Sequence, residues 1–159
     1  MPKNTPCFNI QTGAPQETAR LGQAIGQRAF AGMIIALTGE LGSGKTAFTQ
    51  GLARGLGVDE RQYVTSPSYT LINQHQGSDL TLYHIDLYRL FDPDELLDLG
   101  IEEIMGQPAV VAIEWADKFS SPWWREDLQV ALAISGVMKR DIALVPRNPR
   151  TADLLVGLP

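Results

Sequence analysis

The apolar run Met33-Ile34-Ile35-Ala36-Leu37-Thr38 leads without a break into Gly39-Glu40-Leu41-Gly42-Ser43-Gly44-Lys45-Thr46. A continuous apolar stretch of this length suits a strand buried on both faces. The eight residues after it fit the pattern G-x-x-x-x-G-K-[ST]. From Lys45 the chain continues as a helix, with Phe48, Leu52 and Leu56 on one face and Gly57 placed to end it. Strand, glycine-rich loop and helix in that order leave few folds open. The glycines let the backbone turn tightly around an anion with several N–H groups aimed inward, and the new helix presents its positive end to the same point. Lys45 supplies a mobile positive charge for β- and γ-phosphates, and the Thr46 hydroxyl suits Mg²⁺. The spacing predicts a loop that grips the phosphates of ATP. Its nucleotide-binding set is Gly39, Glu40, Leu41, Gly42, Ser43, Gly44, Lys45 and Thr46, with the adjoining Ala47.

Around this unit the chain reads as alternating strands and helices. Pro15–Ala31 repeats apolar residues at Leu21, Ala24, Ile25 and Ala29, with Pro15 near its start, as a helix would. Strands are expected at Tyr69–His75 and Leu80–Asp86, joined at Gln76-Gly77-Ser78, and at Pro108–Glu114. Asp92-Pro93-Asp94-Glu95 has the composition of a helix start, with Asp92 as N-cap and Glu95 closing a capping box. Leu128–Ile134 and Asp141–Val145 read as a late hairpin, and Trp123-Trp124 fall in a turn after Pro122. The expected fold is α/β: a P-loop NTPase-like single domain over residues 1–146, with a mixed, mainly parallel central sheet flanked by helices. Residues 147–159 are expected to be a partly mobile C-terminal tail.

With 159 residues the chain can bury a core without a disulfide or structural metal. Its single cysteine, Cys7, has no internal partner, which suits a reducing cytoplasm. No apolar run approaches a membrane span, and Met1-Pro2-Lys3-Asn4 lacks the apolar core of a signal peptide, so a cytoplasmic location is expected. The net charge of −5 argues against a stand-alone nucleic-acid binder, because such binding rests on Lys and Arg neutralising phosphates. A role in nucleic-acid metabolism would run through another protein.

A phosphate loop needs a carboxylate for the metal or its waters, and in α/β sheets ligands gather at the carboxyl ends of the strands. Two apolar strands end in an acid, at Asp86 and at Glu114. If both run parallel to Met33–Thr38, they emerge on the same edge as the loop, where one can complete the Mg²⁺ shell while the other orients an attacking water. Each acid by itself is equally a strand-end cap. His84 shares the strand face of Asp86 and reads as a packed, hydrogen-bonded residue rather than a proton carrier. Arg89 can reach a phosphate or a partner, or form a surface ion pair. The hydroxyl-rich stretch Thr65-Ser66-Pro67-Ser68-Tyr69-Thr70 fits either a segment that senses the γ-phosphate or a polar loop. Trp115 is expected in packing, and Trp123 and Trp124 at a partner surface.

Taken in order, GELGSGKT (Gly39–Thr46), VTSPSYTL (Val64–Leu71), HIDLYR (His84–Arg89), the stretch Asp92–Glu103 and IEW (Ile113–Trp115) resemble one family, the bacterial threonylcarbamoyladenosine biosynthesis ATPases called TsaE, formerly YjeE. The resemblance covers roughly residues 10–145. It implies Thr46 and Glu114 as Mg²⁺ ligands, Asp86 as the acid needed for hydrolysis, and Thr65–Thr70 as a switch-like loop. It also implies that Lys139 and Arg140 lie in a turn close to the nucleotide. The cofactors implied are ATP and Mg²⁺. The implied partner is the TsaD–TsaB pair, which attaches threonylcarbamoyl to the adenosine beside the anticodon in tRNAs reading codons that start with A. TsaE binds that pair and hydrolyses ATP to reset it, meeting tRNA only indirectly and acting from a free monomer. Ser68 stands where the family usually carries Thr, and Gly13-Ala14-Pro15 offers no motif for the adenine side.

Two other readings fit the phosphate loop. A small metabolite kinase would need a lid bearing several arginines, whereas Arg125, Arg140, Arg147 and Arg150 are scattered. An ATP-gated adaptor with negligible turnover would need only the loop. No [NT]-K-x-D stretch supports a GTPase.

Overall fold

The computed structural model describes residues 5–120 and 122–159; the N-terminal residues Met1–Asn4, read above for a leader, lie outside them. The strands are β1 (Phe8–Thr12), β2 (Ile34–Thr38), β3 (Ile72–Gln76), β4 (Thr81–Asp86), β5 (Val110–Glu114), β6 (Leu128–Ile134) and β7 (Arg140–Pro146). They form one sheet in the order β1-β7-β6-β2-β5-β4-β3. The central strands β6, β2, β5 and β4 are parallel, and both margins are antiparallel. This is the mixed α/β sheet of a P-loop NTPase fold. The parallel run matters for the site, because it sends the carboxyl ends of β2, β4 and β5 to one edge.

The helices are α1 (Pro15–Arg28), α2 (Lys45–Gly55), α3 (Glu95–Asp98), α4 (Ile101–Met105) and α5 (Pro149–Leu155). One face of the sheet buries Ile35, Leu37, Val130 and Leu144 against Leu21 and Ile25 of α1, Phe48 and Leu52 of α2 and Leu155 of α5. The other buries Ile34, Ala36, Ile85 and Ile113 against Leu96, Ile101 and Trp124. Each side chain as large as Phe48, fully buried, contributes about 2–3 kcal/mol of apolar transfer. The helices α1 and α2 cross with their backbones touching. A Cβ on Gly51 would lie 1.8 Å from the Ala19 carbonyl oxygen, and one on Gly22 would lie 2.1 Å from that of Phe48.

Several expectations change. The predicted first helix stops at Arg28, and β1 pairs with β7 where no strand was read, since Phe8-Asn9-Ile10-Gln11-Thr12 is a short alternating edge. The Glu95 carboxylate does accept the N–H groups of Phe91 and Asp92, as a capping box would. Helical residues nonetheless begin only at Glu95, and Gly100, at φ 72°, separates α3 from α4. After Pro146 the chain is not a loose tail. Asn148 caps α5 by accepting from Thr151 N–H, Leu155 is buried, and Arg28 donates to the carbonyls of Leu154 and Val156. Trp124 is buried in the second core, not on a partner surface, and Trp123 packs against the same cluster.

Candidate functional site

Gly39–Thr46 leaves the end of β2 and enters the first turn of α2. Gly39 has φ 142°, and a Cβ there would lie 2.4 Å from the Leu132 carbonyl oxygen, so only glycine fits. The Lys45 ammonium folds back over the loop and donates to the carbonyls of Gly39 (2.6 Å) and Glu40 (2.9 Å). Burial lowers the Lys45 pKa, while the carboxylates of Glu114, Asp86, Asp117 and Glu40 pull the other way. It also reaches the Ser43 hydroxyl at 3.3 Å, and a buried cation held by such neutral groups is poised to exchange them for an anion.

The parallel register places Asp86 directly beside Glu114, and Leu37 of β2 on the other side of Glu114. Both carboxylates are about 1% exposed. Glu114 Oε1 accepts the Thr46 hydroxyl at 3.0 Å, and Oε2 accepts the Ser66 hydroxyl at 3.2 Å. Ser66 also donates to Asp86 Oδ2 at 2.6 Å, and Asp86 Oδ1 accepts the Tyr88 N–H at 2.8 Å. Burial pushes the Glu114 carboxyl up, but His84, the Thr46 hydroxyl and Asp86 together outweigh it and hold the pKa below its ordinary value. A hydroxyl and two carboxylates packed this closely form an all-oxygen donor set, which suits a hard divalent cation. The loop from Leu41 through Ala47, with Ser66, Ser68, Asp86, Arg89, Glu114 and Trp115, lines one cavity of about 340 Å³, while Gly39 and Glu40 stand behind it and meet Lys45 through their carbonyls.

With this geometry, the comparisons converge. The family profile described as "Threonylcarbamoyl adenosine biosynthesis protein TsaE" matches residues 12–142. The chain belongs to the TsaE family. A protein named tRNA threonylcarbamoyladenosine biosynthesis protein TsaE from Nostoc sp. is 37% identical over 147 residues, spanning 88% of this chain and 86% of its own. Its namesake from Treponema pallidum is 36% identical over 129 residues, spanning 81% and 93%. The crystal structure of YdiB from Bacillus subtilis superposes with a TM-score of 0.76 at 31% identity, covering 94% of this chain and 91% of the other.

Within this TsaE-family chain the structure sorts the other expected site residues. Of the switch-like segment, Ser66 and Ser68 face the cavity, and Ser68 reaches Asp86 Oδ2 at 3.4 Å. Thr65 lines a separate cleft beside α2, Thr70 bonds Asn73, Tyr69 lies under Arg89, and Pro67 accepts the Leu71 N–H. Arg140 reaches the loop from β7 and donates to the Gly42 carbonyl at 3.0 Å, whereas Lys139 sits in the β6–β7 turn and lines no part of the cavity. Arg89 stacks 4.0 Å from the Tyr69 ring centroid, and no carboxylate among the described residues pairs with it.

Trp115 packs against the second core as expected, but it also meets the loop, which the sequence reading missed: the Lys45 ammonium lies 4.1 Å from its ring centroid, and the Tyr88 ring sits tilted beside it at 4.9 Å. The residue takes φ 60°, which turns its side chain back over the loop. Its position directly after a strand-end acid was the available signal.

Proposed function

We propose that this chain is a Mg²⁺-dependent ATP-binding and ATP-hydrolysing protein serving threonylcarbamoyladenosine modification of tRNAs that read codons starting with A, and that it acts on a TsaD–TsaB complex. The observation that carries the reading is the junction of Lys45, Thr46, Ser66, Asp86 and Glu114 around one cavity at the carboxyl edge of the parallel strands. The names of the family and of its relatives support the pathway. The net charge of −5 fits a protein that meets tRNA through a partner.

In this reading the N–H groups of Gly39–Ala47 cradle the phosphates, and Lys45 transfers its ammonium from the Gly39 and Glu40 carbonyls to the β- and γ-phosphate oxygens. Arg140 steadies the loop through Gly42. Thr46 and Glu114 would hold the metal, which when bound would supply charge neutralisation for the phosphates. Asp86, held in place by its bonds to Tyr88 N–H and Ser66, orients the attacking water. The hydroxyl of Ser66 bridges both acids, so the switch-like segment is tied to the chemistry through it.

The arginines do not favour a kinase. Arg147 pairs with Glu126 and bonds Gln129, Arg150 stacks on Phe30, and Arg140 is occupied by the loop and its own turn. The test is steady-state ATP hydrolysis by the purified protein, alone and with TsaD–TsaB. Slow turnover that rises at least tenfold with the pair is expected. No response to the pair would remove the pathway role and leave only the nucleotide site.

A further inference from the structure

His84 sits on β4 two residues before Asp86, wholly buried and outside the cavity lining. Neither of its ring nitrogens has a hydrogen-bond partner among the described residues. A buried polar group left without a partner costs about 1–3 kcal/mol, and its neighbours Leu82 and Ile85 show that the strand otherwise takes apolar residues here. The imidazole Nε2 lies 3.5 Å from Glu114 Oε2, and no other carboxylate among the described residues is within ion-pair reach of it. A shift of about 0.6 Å would bring that separation to the usual N–H···O length of about 2.9 Å.

We propose that His84 is a positioning residue for Glu114: its Nε2–H donates to Oε2 and sets the plane of the carboxylate. Thr46 already fixes Oε1 and Ser66 approaches Oε2. Both of those hydroxyls belong to groups that must change partners when nucleotide and metal enter, since Thr46 is itself a ligand candidate and Ser66 lies on the switch-like segment. His84 comes from the sheet, and among the described residues its ring nitrogens have no other partner. It would keep Glu114 aimed while the hydroxyls rearrange. Carboxylates that ligate metals are commonly held by such outer partners, and losing one typically costs about 10–100-fold in metal affinity. The consequence for metal binding rests on the function proposed above; the hydrogen bond itself does not.

Two measurements on the full chain separate these. The protein has only two histidines, His75 and His84, so nitrogen NMR of the imidazoles is assignable with a His75→Gln variant. A proton on Nε2 of His84 is expected; a neutral ring with its proton on Nδ1 overturns the proposal. The second measurement is the Mg²⁺ dependence of ATP binding by calorimetry. His84→Leu should raise the Mg²⁺ midpoint about 10–100-fold while leaving metal-free ATP affinity unchanged. His84→Gln, which keeps an amide donor near the Nε2 position, should return to within a few-fold of the parent. A Leu variant with the parent midpoint, or a Gln variant as impaired as Leu, would sink the positioning role. If the parent itself binds ATP without regard to Mg²⁺, the metal reading fails, and the tautomer alone decides the contact to Glu114.

Discussion

The Thr46 hydroxyl donates to Glu114 Oε1 at 3.0 Å, joining the first turn of α2 to the last residue of β5. The two residues are far apart in sequence and meet because β5 lies parallel to β2, whose end launches the loop. An oxygen pair bound to each other in this way is where a divalent cation would insert, so Glu114→Ala should change metal dependence before anything else. The Mg²⁺ concentration for half-maximal hydrolysis should rise by at least tenfold, with the circular dichroism spectrum unchanged. A mutant with the parent's metal dependence would exclude Glu114 as a ligand.

Asp86 should behave differently. Its two oxygens are held by Tyr88 N–H and Ser66, and it lies beside Glu114 in register. Asp86→Asn keeps the shape and one acceptor but removes the charge. ATP affinity is expected to stay within about threefold, while turnover falls about 10²–10⁴-fold, the range for losing a general base. Calorimetry and single-turnover hydrolysis on the same sample decide it; equal losses in both would mean a structural role.

Lys45 offers an optical handle. Its ammonium rests 4.1 Å from the Trp115 ring centroid and on two loop carbonyls, all of which it must leave to meet a phosphate. ATP should therefore alter tryptophan emission, and the change should vanish in Trp115→Phe although Trp123 and Trp124 remain. Lys45→Ala should weaken ATP binding at least tenfold, because a desolvated contact between a lysine and a phosphate is worth more than about 1.4 kcal/mol. An undiminished signal in Trp115→Phe would place the reporter elsewhere.

Glu114 also sets a pH dependence. Its pKa in the fold lies below the ordinary 4.5 because the His84, Thr46 and Asp86 contacts outweigh the burial that raises it. A depressed carboxyl stabilises the fold fully above its unfolded pKa and loses that contribution as pH falls through the folded value. The window is therefore acid, beneath about 4.5. Urea midpoints measured from pH 6 downward should fall less steeply for Glu114→Gln than for the parent. Parallel curves would show that Glu114 is not held in its charged form by the fold.

The sequence made the loop, α2 and the parallel strands readable, because each follows from periodicity and glycine placement within a dozen residues. Asp86 and Glu114 could be paired in advance because both close apolar runs, and parallel strands end together. What resisted was set by contacts between distant segments. β1 is an edge of five residues whose only signal is its pairing to β7, and α5 depends on Leu155 reaching the core and Arg28 holding its end. Trp115 shows the limit most clearly, since its φ of 60° is a tertiary choice that hydrophobicity could not announce.

The crossing of α1 and α2 was equally silent, and it supports the site from behind. Gly22 and Gly26 on α1 face Gly51 and Gly55 on α2 so closely that a methyl on Gly51 would fall 1.8 Å from the Ala19 carbonyl oxygen. The obstacle is backbone, not a side chain that can swing aside, so the helices must separate to accept it. Because α2 begins at Lys45, separation tilts the helix whose first turn carries Thr46 toward Glu114. Gly51→Ala should lose about 2–3 kcal/mol of stability, the upper part of the usual range for overpacking, despite alanine's better helix propensity. It should also weaken ATP binding without touching any residue of the cavity. Gly32→Ala makes the control: a Cβ there meets nothing within 4 Å, so its cost is confined to the backbone strain of φ 90°. Chemical denaturation and calorimetry of the two variants give the comparison, and a Gly51→Ala protein that binds ATP like the parent would show that the helix crossing and the phosphate loop are uncoupled.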